Sequence, residues 1–194
     1  AGGSGRAEGA DDPGPPGMSQ AERYARFRAL HERPEAFIMP NAWDAVPPAR
    51  LGWEGFEALG PSPAAIASAL GRLDGDHAVS RAEAIANAVL LASASGLPVN
   101  GDLEDGFGPS PQDCVATVEA SIAAGLAGLG IEDTTADRAN PLHDFDAAVA
   151  RVAAAARAAK GRILLTARAD NYLHGRPDLD DTIRRLIAFA EVGA

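Results

Sequence analysis

The chain has one cysteine, Cys114, so it can close no disulfide on itself and build no multi-cysteine zinc site. Such thrift suits a reducing compartment, and the cytoplasm is the expected location. No stretch approaches the roughly 18 consecutive apolar residues of a membrane span, and the first residues lack the apolar core of a secretory signal. Positive charge is also scarce: 17 Lys and Arg stand against 27 Asp and Glu, a formal net charge of -10. An acidic surface repels phosphate backbones, so neither nucleic acid nor a membrane is expected as a partner. A small carboxylate substrate stays compatible, because a bound metal ion reverses the local field in an acidic pocket.

What is present describes an ordinary globular protein: 194 residues with 46% hydrophobic and 23% charged content can form one domain with a real core. Residues 1–17 are the exception, being nearly all Gly, Ala, Pro and charge. They cannot bury enough apolar surface to offset their ordering entropy, and are expected to be a disordered tail ahead of Met18. The catalytic domain is expected over 18–194.

From Met18 the pattern alternates short apolar runs with longer helical ones. Residues 19–33 predict an introductory helix, with Tyr24, Phe27 and Leu30 at helical spacing. A strand is expected over 37–41, then a short helix with Asp44 as N-cap, then a weaker strand over 55–60. Ser80-Arg81-Ala82-Glu83 is a capping box opening a helix that closes at Gly96. Leu97-Pro98-Val99 opens a third strand ending near Glu104, and Ser110-Pro111 is an N-cap followed by proline in the first turn. That helix closes at Gly125, and Leu129-Gly130-Ile131 forms the fourth strand. An alanine-rich helix over 145–159, a fifth strand over 162–168 and a helix over 179–192 complete the series.

Strands alternating with helices of this length predict βαβ units and a parallel sheet. Polar residues stand at the carboxyl ends of four strands: Asn41, then Asp102 and Glu104, then Glu132, then Arg168. A closed barrel gathers all strand ends at one mouth, whereas an open sheet concentrates ligands at one crevice. The expectation is therefore an α/β fold of the (β/α) barrel type, with about five of the usual eight units present.

Side chains alternate along a strand, so Asp102 and Glu104 share a face opposite Leu103. Glu132 shares parity with Gly128 and Gly130, which would leave room inside the barrel while Leu129 and Ile131 face the helices. Three carboxylates then converge, a hard-oxygen set that favours Mg2+, or Mn2+, over zinc. A single strand-end acid is as often merely solvated or capping a helix; the set is harder to dismiss. Asp105 and Asp133 fit local turn bonding better than metal binding. Arg168 faces the same mouth, where it could pair with the acids or stabilise negative charge developing on a substrate.

These motifs are recognisable. Asn100-Gly101-Asp102-Leu103-Glu104-Asp105-Gly106-Phe107-Gly108 resembles the metal-binding strand of the isocitrate lyase and phosphoenolpyruvate mutase superfamily. Gly130-Ile131-Glu132-Asp133 and Leu165-Thr166-Ala167-Arg168-Ala169-Asp170 resemble its next two strands. Pro40-Asn41-Ala42-Trp43-Asp44-Ala45 and Leu70-Gly71-Arg72-Leu73-Asp74-Gly75 are similar to family segments in the right order, so the likeness covers about residues 20–194.

The resemblance implies a Mg2+-dependent barrel enzyme for a 2-oxo or 2-hydroxy carboxylate, cleaving or rearranging a C–P or C–C bond through an enolate-like intermediate. Asp102 would bind the metal directly, with Asp74, Glu104 and Glu132 binding directly or through water. Arg168 and Asp74 would be catalytic; Asn41, Trp43, Ser62 and Asn140 would join Arg168 around the substrate. The metal would act as a Lewis acid on the substrate oxygens. A full-length relative would be a homo-oligomer.

Two departures narrow this. The cysteine-bearing loop of the isocitrate and methylisocitrate lyases is absent after Glu132, where the chain reads Thr134-Thr135-Ala136-Asp137-Arg138. Cys114 cannot replace it, since it lies with Val115, Val118 and Ile122 on a helix, as a small core residue. The mutase-like branch (phosphonomutase, phosphonopyruvate hydrolase or oxo-acid decarboxylase types) fits better. Pro61-Ser62-Pro63 also replaces a Thr/Ser-rich strand end, and proline has no N–H to offer a substrate. His31, His77, His143 and His174 show no metal-ligand spacing and are expected at the surface or as caps, His174 being the strongest exception. The competing expectation is a non-catalytic remnant of such an enzyme, acting as an interaction module.

Overall fold

The computed structural model describes residues 18–74 and 77–194, apart from the side chains at 46 and 47. The expected tail, 1–17, lies outside the described residues. Five short strands alternate with helices: β1 Asn41–Ala42, β2 Gly60–Pro61, β3 Asn100–Asp102, β4 Gly128–Glu132 and β5 Leu164–Arg168. Every pairing is parallel and joins chain neighbours: β1 with β2, β3 with β4, β4 with β5. A parallel bridge from Leu59 to Val99 connects β2 to β3. The result is one continuous arc of a (β/α) barrel that the described strands do not close, since closure takes eight.

The helices are α1 Gln20–His31, α2 Val46–Trp53, α3 Pro63–Ala69, α4 Arg81–Ser95, α5 Pro111–Ala123, α6 Phe145–Ala159 and α7 Leu179–Glu191. Capping boxes at Ser19, Ser80 and Ser110 start α1, α4 and α5, each serine accepting from the third helical N–H. Asp44 does not cap α2; the N-cap is Ala45, with proline in the first turn and no side-chain bond. Pro61 ends β2, while Pro63 has a local role the strand reading missed. Ser62 caps α3 and Pro63 occupies its first turn, where a missing N–H costs nothing.

The main core lies between sheet and outer helices. Leu59, Val99, Leu103, Leu129 and Ile131 meet Ala88 and Leu91 of α4, Val118 of α5, and Val152 and Ala155 of α6, all at most 2% exposed. Cys114 is fully buried in this layer, as expected of a small core residue. A second cluster closes the amino end of the arc: Phe27 and Leu30 of α1 pack with Ala58 and Ala127. The space beside Gly128 is therefore not open. A Cβ there would lie 2.5 Å from the Phe27 ring and 2.6 Å from Asn100 Oδ1, so only glycine lets α1 seat. Among the described residues no helix is long and apolar enough to cross a membrane.

Candidate active site

The carboxyl ends of β3, β4 and β5 face one cavity of about 580 Å³, lined by Asp74, His77, Asp102, Glu104, Glu132 and Arg168 among others. Strand alternation places them. Leu129 and Ile131 are fully buried towards the helices, which leaves Glu132 on the opposite face. Register then sets Glu132 beside Arg168 and Asp102 beside Gly130. Glu104 lies beyond the end of β3, where the chain turns through a left-handed backbone (φ 48°). Such a conformation is uncommon for a residue with a side chain.

Arg168 is the centre of charge. Its guanidinium stands 3.1 Å from Glu132, 3.5 Å from Asp102 and 3.0 Å from Asp170. Even so, the acids carry more negative charge than one cation offsets. Burial pushes Glu132 up to about 8, helped by Asp170 and Asp102 and opposed by Arg168. Burial also raises Glu104 to about 7; His77 opposes this, while Asp105, Asp102 and Asp74 add to it. Asp102 is raised by burial as well, with Arg168 pulling it back. The short Arg168–Glu132 contact does not win, because one guanidinium serves three carboxylates at once. A site of hard oxygens short of positive charge suits a divalent cation. Among the described residues, however, no three His, Cys, Asp or Glu side chains close into a cage for one.

Behind the mouth, two acids that follow the cavity glutamates meet arginines from the outer helices. Asp105 Oδ1 accepts from the Phe107 N–H at 2.8 Å, the local turn bond expected of it, and lies 2.7 Å from His77 Nε2. Buried Arg151 of α6 donates to the carbonyls of Asp105, Gly108 and Ser110. Asp133 does something other than turn bonding: it accepts from the Asp170 N–H at 2.9 Å and from Arg185 of α7 at 3.0 Å.

The remaining expected residues divide. Asp74 is an exposed residue of the cavity wall. Ser62 lines the cavity too, with its hydroxyl accepting from Ala65 N–H. Asn41, Trp43 and Asn140 are not among its lining residues. Asn41 donates to the Pro61 carbonyl, the Trp43 carbonyl accepts from Asn87, and Asn140 donates to Asp137. His174 lines the cavity as the strongest of the histidines, but His77 does so as well and was underrated. Its partner is 28 residues away, so no local spacing reveals it. Arg151 did leave a signal: an arginine on the same helical face as Ala148, Val152 and Ala155 must be buried and needs acceptors.

The phosphoenolpyruvate phosphomutase family model matches residues 27–194. An uncharacterized protein of Mycobacterium tuberculosis is 34% identical over 171 residues, 87% of this chain and 62% of that one. The chain thus spans about three-fifths of the length of this curated relative. A solved protein of the lyase/mutase type from Burkholderia cenocepacia J2315 is 45% identical with a TM-score of 0.85, over 90% of this chain and 63% of that one. A phosphoenolpyruvate phosphomutase from Streptomyces platensis subsp. rosaceus is 27% identical with a TM-score of 0.79, over 88% and 61%. With an arc of parallel strands, acids and an arginine at the strand ends, and these likenesses, the chain belongs to the phosphoenolpyruvate mutase/isocitrate lyase superfamily.

Proposed function

We propose that the chain carries a lyase- or mutase-type active site that cleaves or rearranges a C–C or C–P bond in a small 2-oxo or 2-hydroxy carboxylate, through an enolate-like intermediate. One observation carries this reading: Arg168 stands over Asp102 and Glu132 at the mouth of a cavity that Glu104 also lines. Relatives whose names give C–C chemistry, a 2,3-dimethylmalate lyase at 28% identity and an oxaloacetate acetylhydrolase at 26%, support the substrate class.

A magnesium ion fits the donor set. Every candidate ligand is a carboxylate oxygen, and burial, with neighbouring acids adding to it, raises Glu104 and Glu132, a burden that a bound cation would relieve. Mg2+ retains several waters, so the lack of a three-side-chain cage among the described residues is no obstacle: Asp102 would bind directly, with Glu104, Glu132 and Asp74 reaching it directly or through water. When bound, the ion would supply Lewis-acid polarisation of the substrate carbonyl. The protein's own part is positional. Arg168 pairs with the substrate carboxylate and offsets charge developing on the enolate oxygen, while Asp102 and Glu132 hold its guanidinium in place.

Calorimetry with Mg2+ and oxalate, a planar dianion shaped like an enolate, tests the reading. Metal-dependent oxalate binding is expected, lost in Asp102→Ala and weakened in Arg168→Met. A folded chain that binds no oxalate would make this a non-catalytic remnant instead.

A further inference from the structure

Making or quenching an enolate moves a proton, and few groups at this mouth can carry one. Asp102, Glu104, Glu132 and Asp74 are committed to the cation in the reading above, on which this inference rests, and His174, the other histidine of the cavity wall, is exposed. Arg168 keeps its proton at any working pH. Asp170 is buried against Arg168, and the Cys114 thiol is buried, its sulfur 3.8 Å from the Asp105 carbonyl.

His77 is different. Its imidazole lines the cavity and also a second chamber of about 480 Å³, so it stands where the two spaces meet. Nε2 lies 2.7 Å from Asp105 Oδ1. An ionised carboxylate only accepts, so this contact assigns the ring proton to Nε2 and leaves the Nδ1 lone pair as the acceptor. Asp105 is itself only 4% exposed and pinned by the Phe107 N–H, which gives the ring a fixed support. The Phe107 ring lies 5.4 Å from the imidazole and limits its swing. Among the described residues no partner occupies Nδ1.

We infer that His77, supported by Asp105, is the proton carrier of this site. In a C–C cleavage, Nδ1 takes the hydroxyl proton as the carbonyl of one product forms, and the electron pair of the breaking bond passes into the enolate of the other. The imidazolium is paired with Asp105. It then returns the same proton from Nδ1 to the enolate carbon, so the ring ends neutral and no oxidant or further reactant is consumed. An internal phosphoryl shift needs no such carrier, so the arrangement favours cleavage over rearrangement.

The test uses the full chain with Mg2+ and pyruvate in D2O, following loss of the methyl proton signal by NMR. Wild type is expected to exchange these protons. His77→Gln should slow the exchange at least about 100-fold while oxalate affinity is unchanged. His77→Gly, which suits the left-handed backbone there (φ 53°), should regain exchange on addition of imidazole. Nitrogen-15 NMR of the metal-free protein should show the Nε2–H tautomer. Undiminished exchange in His77→Gln, no exchange by a wild type that binds oxalate, or an Nδ1–H tautomer would each overturn His77 as carrier and leave the site reading standing. A wild type that binds no oxalate would overturn both.

Discussion

Glu104-Asp105 and Glu132-Asp133 are the same dipeptide at the ends of neighbouring strands, and they are used differently. In both, the glutamate faces the cavity and the aspartate points back to an arginine six residues into a helix, Arg151 counted from Phe145 and Arg185 from Leu179. Asp133 spends one oxygen on the Asp170 N–H and the other on Arg185, so it ties β4 to β5 and α7 with no oxygen facing the cavity. Arg151 stands 3.9 Å from Asp105 Oδ2 and gives its hydrogen bonds to loop carbonyls instead. That leaves Asp105 able to hold His77. One repeat of the motif joins structure; the other supports a side chain that reaches the cavity.

The sharpest way to break this comparison is to remove each aspartate in turn. Asp133→Ala strands the Asp170 N–H and takes one of two carboxylates from buried Arg185, which keeps Asp181 and the His143 carbonyl, and should cost about 3 kcal/mol in urea unfolding. Asp105→Ala leaves Arg151 with its carbonyl partners, and should cost about 2 kcal/mol while slowing proton exchange, though by no more than His77→Gln does. Equal losses would mean that the two units are energetically alike.

A second, smaller effect separates the glutamates. Both have folded values raised above the ordinary 4.5, Glu132 to about 8 and Glu104 to about 7. Across that window each folded glutamate binds more protons than its unfolded counterpart, so the pair should make metal-free stability fall as pH rises from about 4.5 towards 8, against a smaller opposite contribution from buried His143. Thermal melts at several pH values should show this slope. Glu132→Gln should flatten it up to about pH 8 and Glu104→Gln only up to about pH 7. A metal-free melting temperature that climbs across the window would contradict the burial argument.

Much of this was legible in the sequence where local chemistry decides. The capping box at Ser80 and the N-cap and proline at Ser110-Pro111 placed α4 and α5, and the alanine-rich run gave both ends of α6. Period-two alternation put Glu132 opposite Leu129 and Ile131. Where local signals competed, the reading slipped. The strand expected over 37–41 shrank to Asn41–Ala42, and Ser62-Pro63 proved to be a helix start. The third strand, expected from Leu97, pairs as β3 only from Asn100, although Val99 still bridges to Leu59. The contacts of Arg151, Arg185 and His77 were out of reach for another reason: their partners lie 28 to 52 residues away, and only the folded arc brings them together.

Helix α1 has a consequence for how the chain acquires its shape. Gln20 donates to the carbonyls of Leu126 and Arg162, and Arg23 to that of Gly125, contacts spanning 102 to 142 residues. The segment is made early, yet it can dock only after β4 and β5 exist, and closing so long a loop is entropically slow. Weakening Gln20 or Arg23 should therefore leave the folding rate nearly untouched and speed unfolding, the signature of a latch that engages last and lets go first.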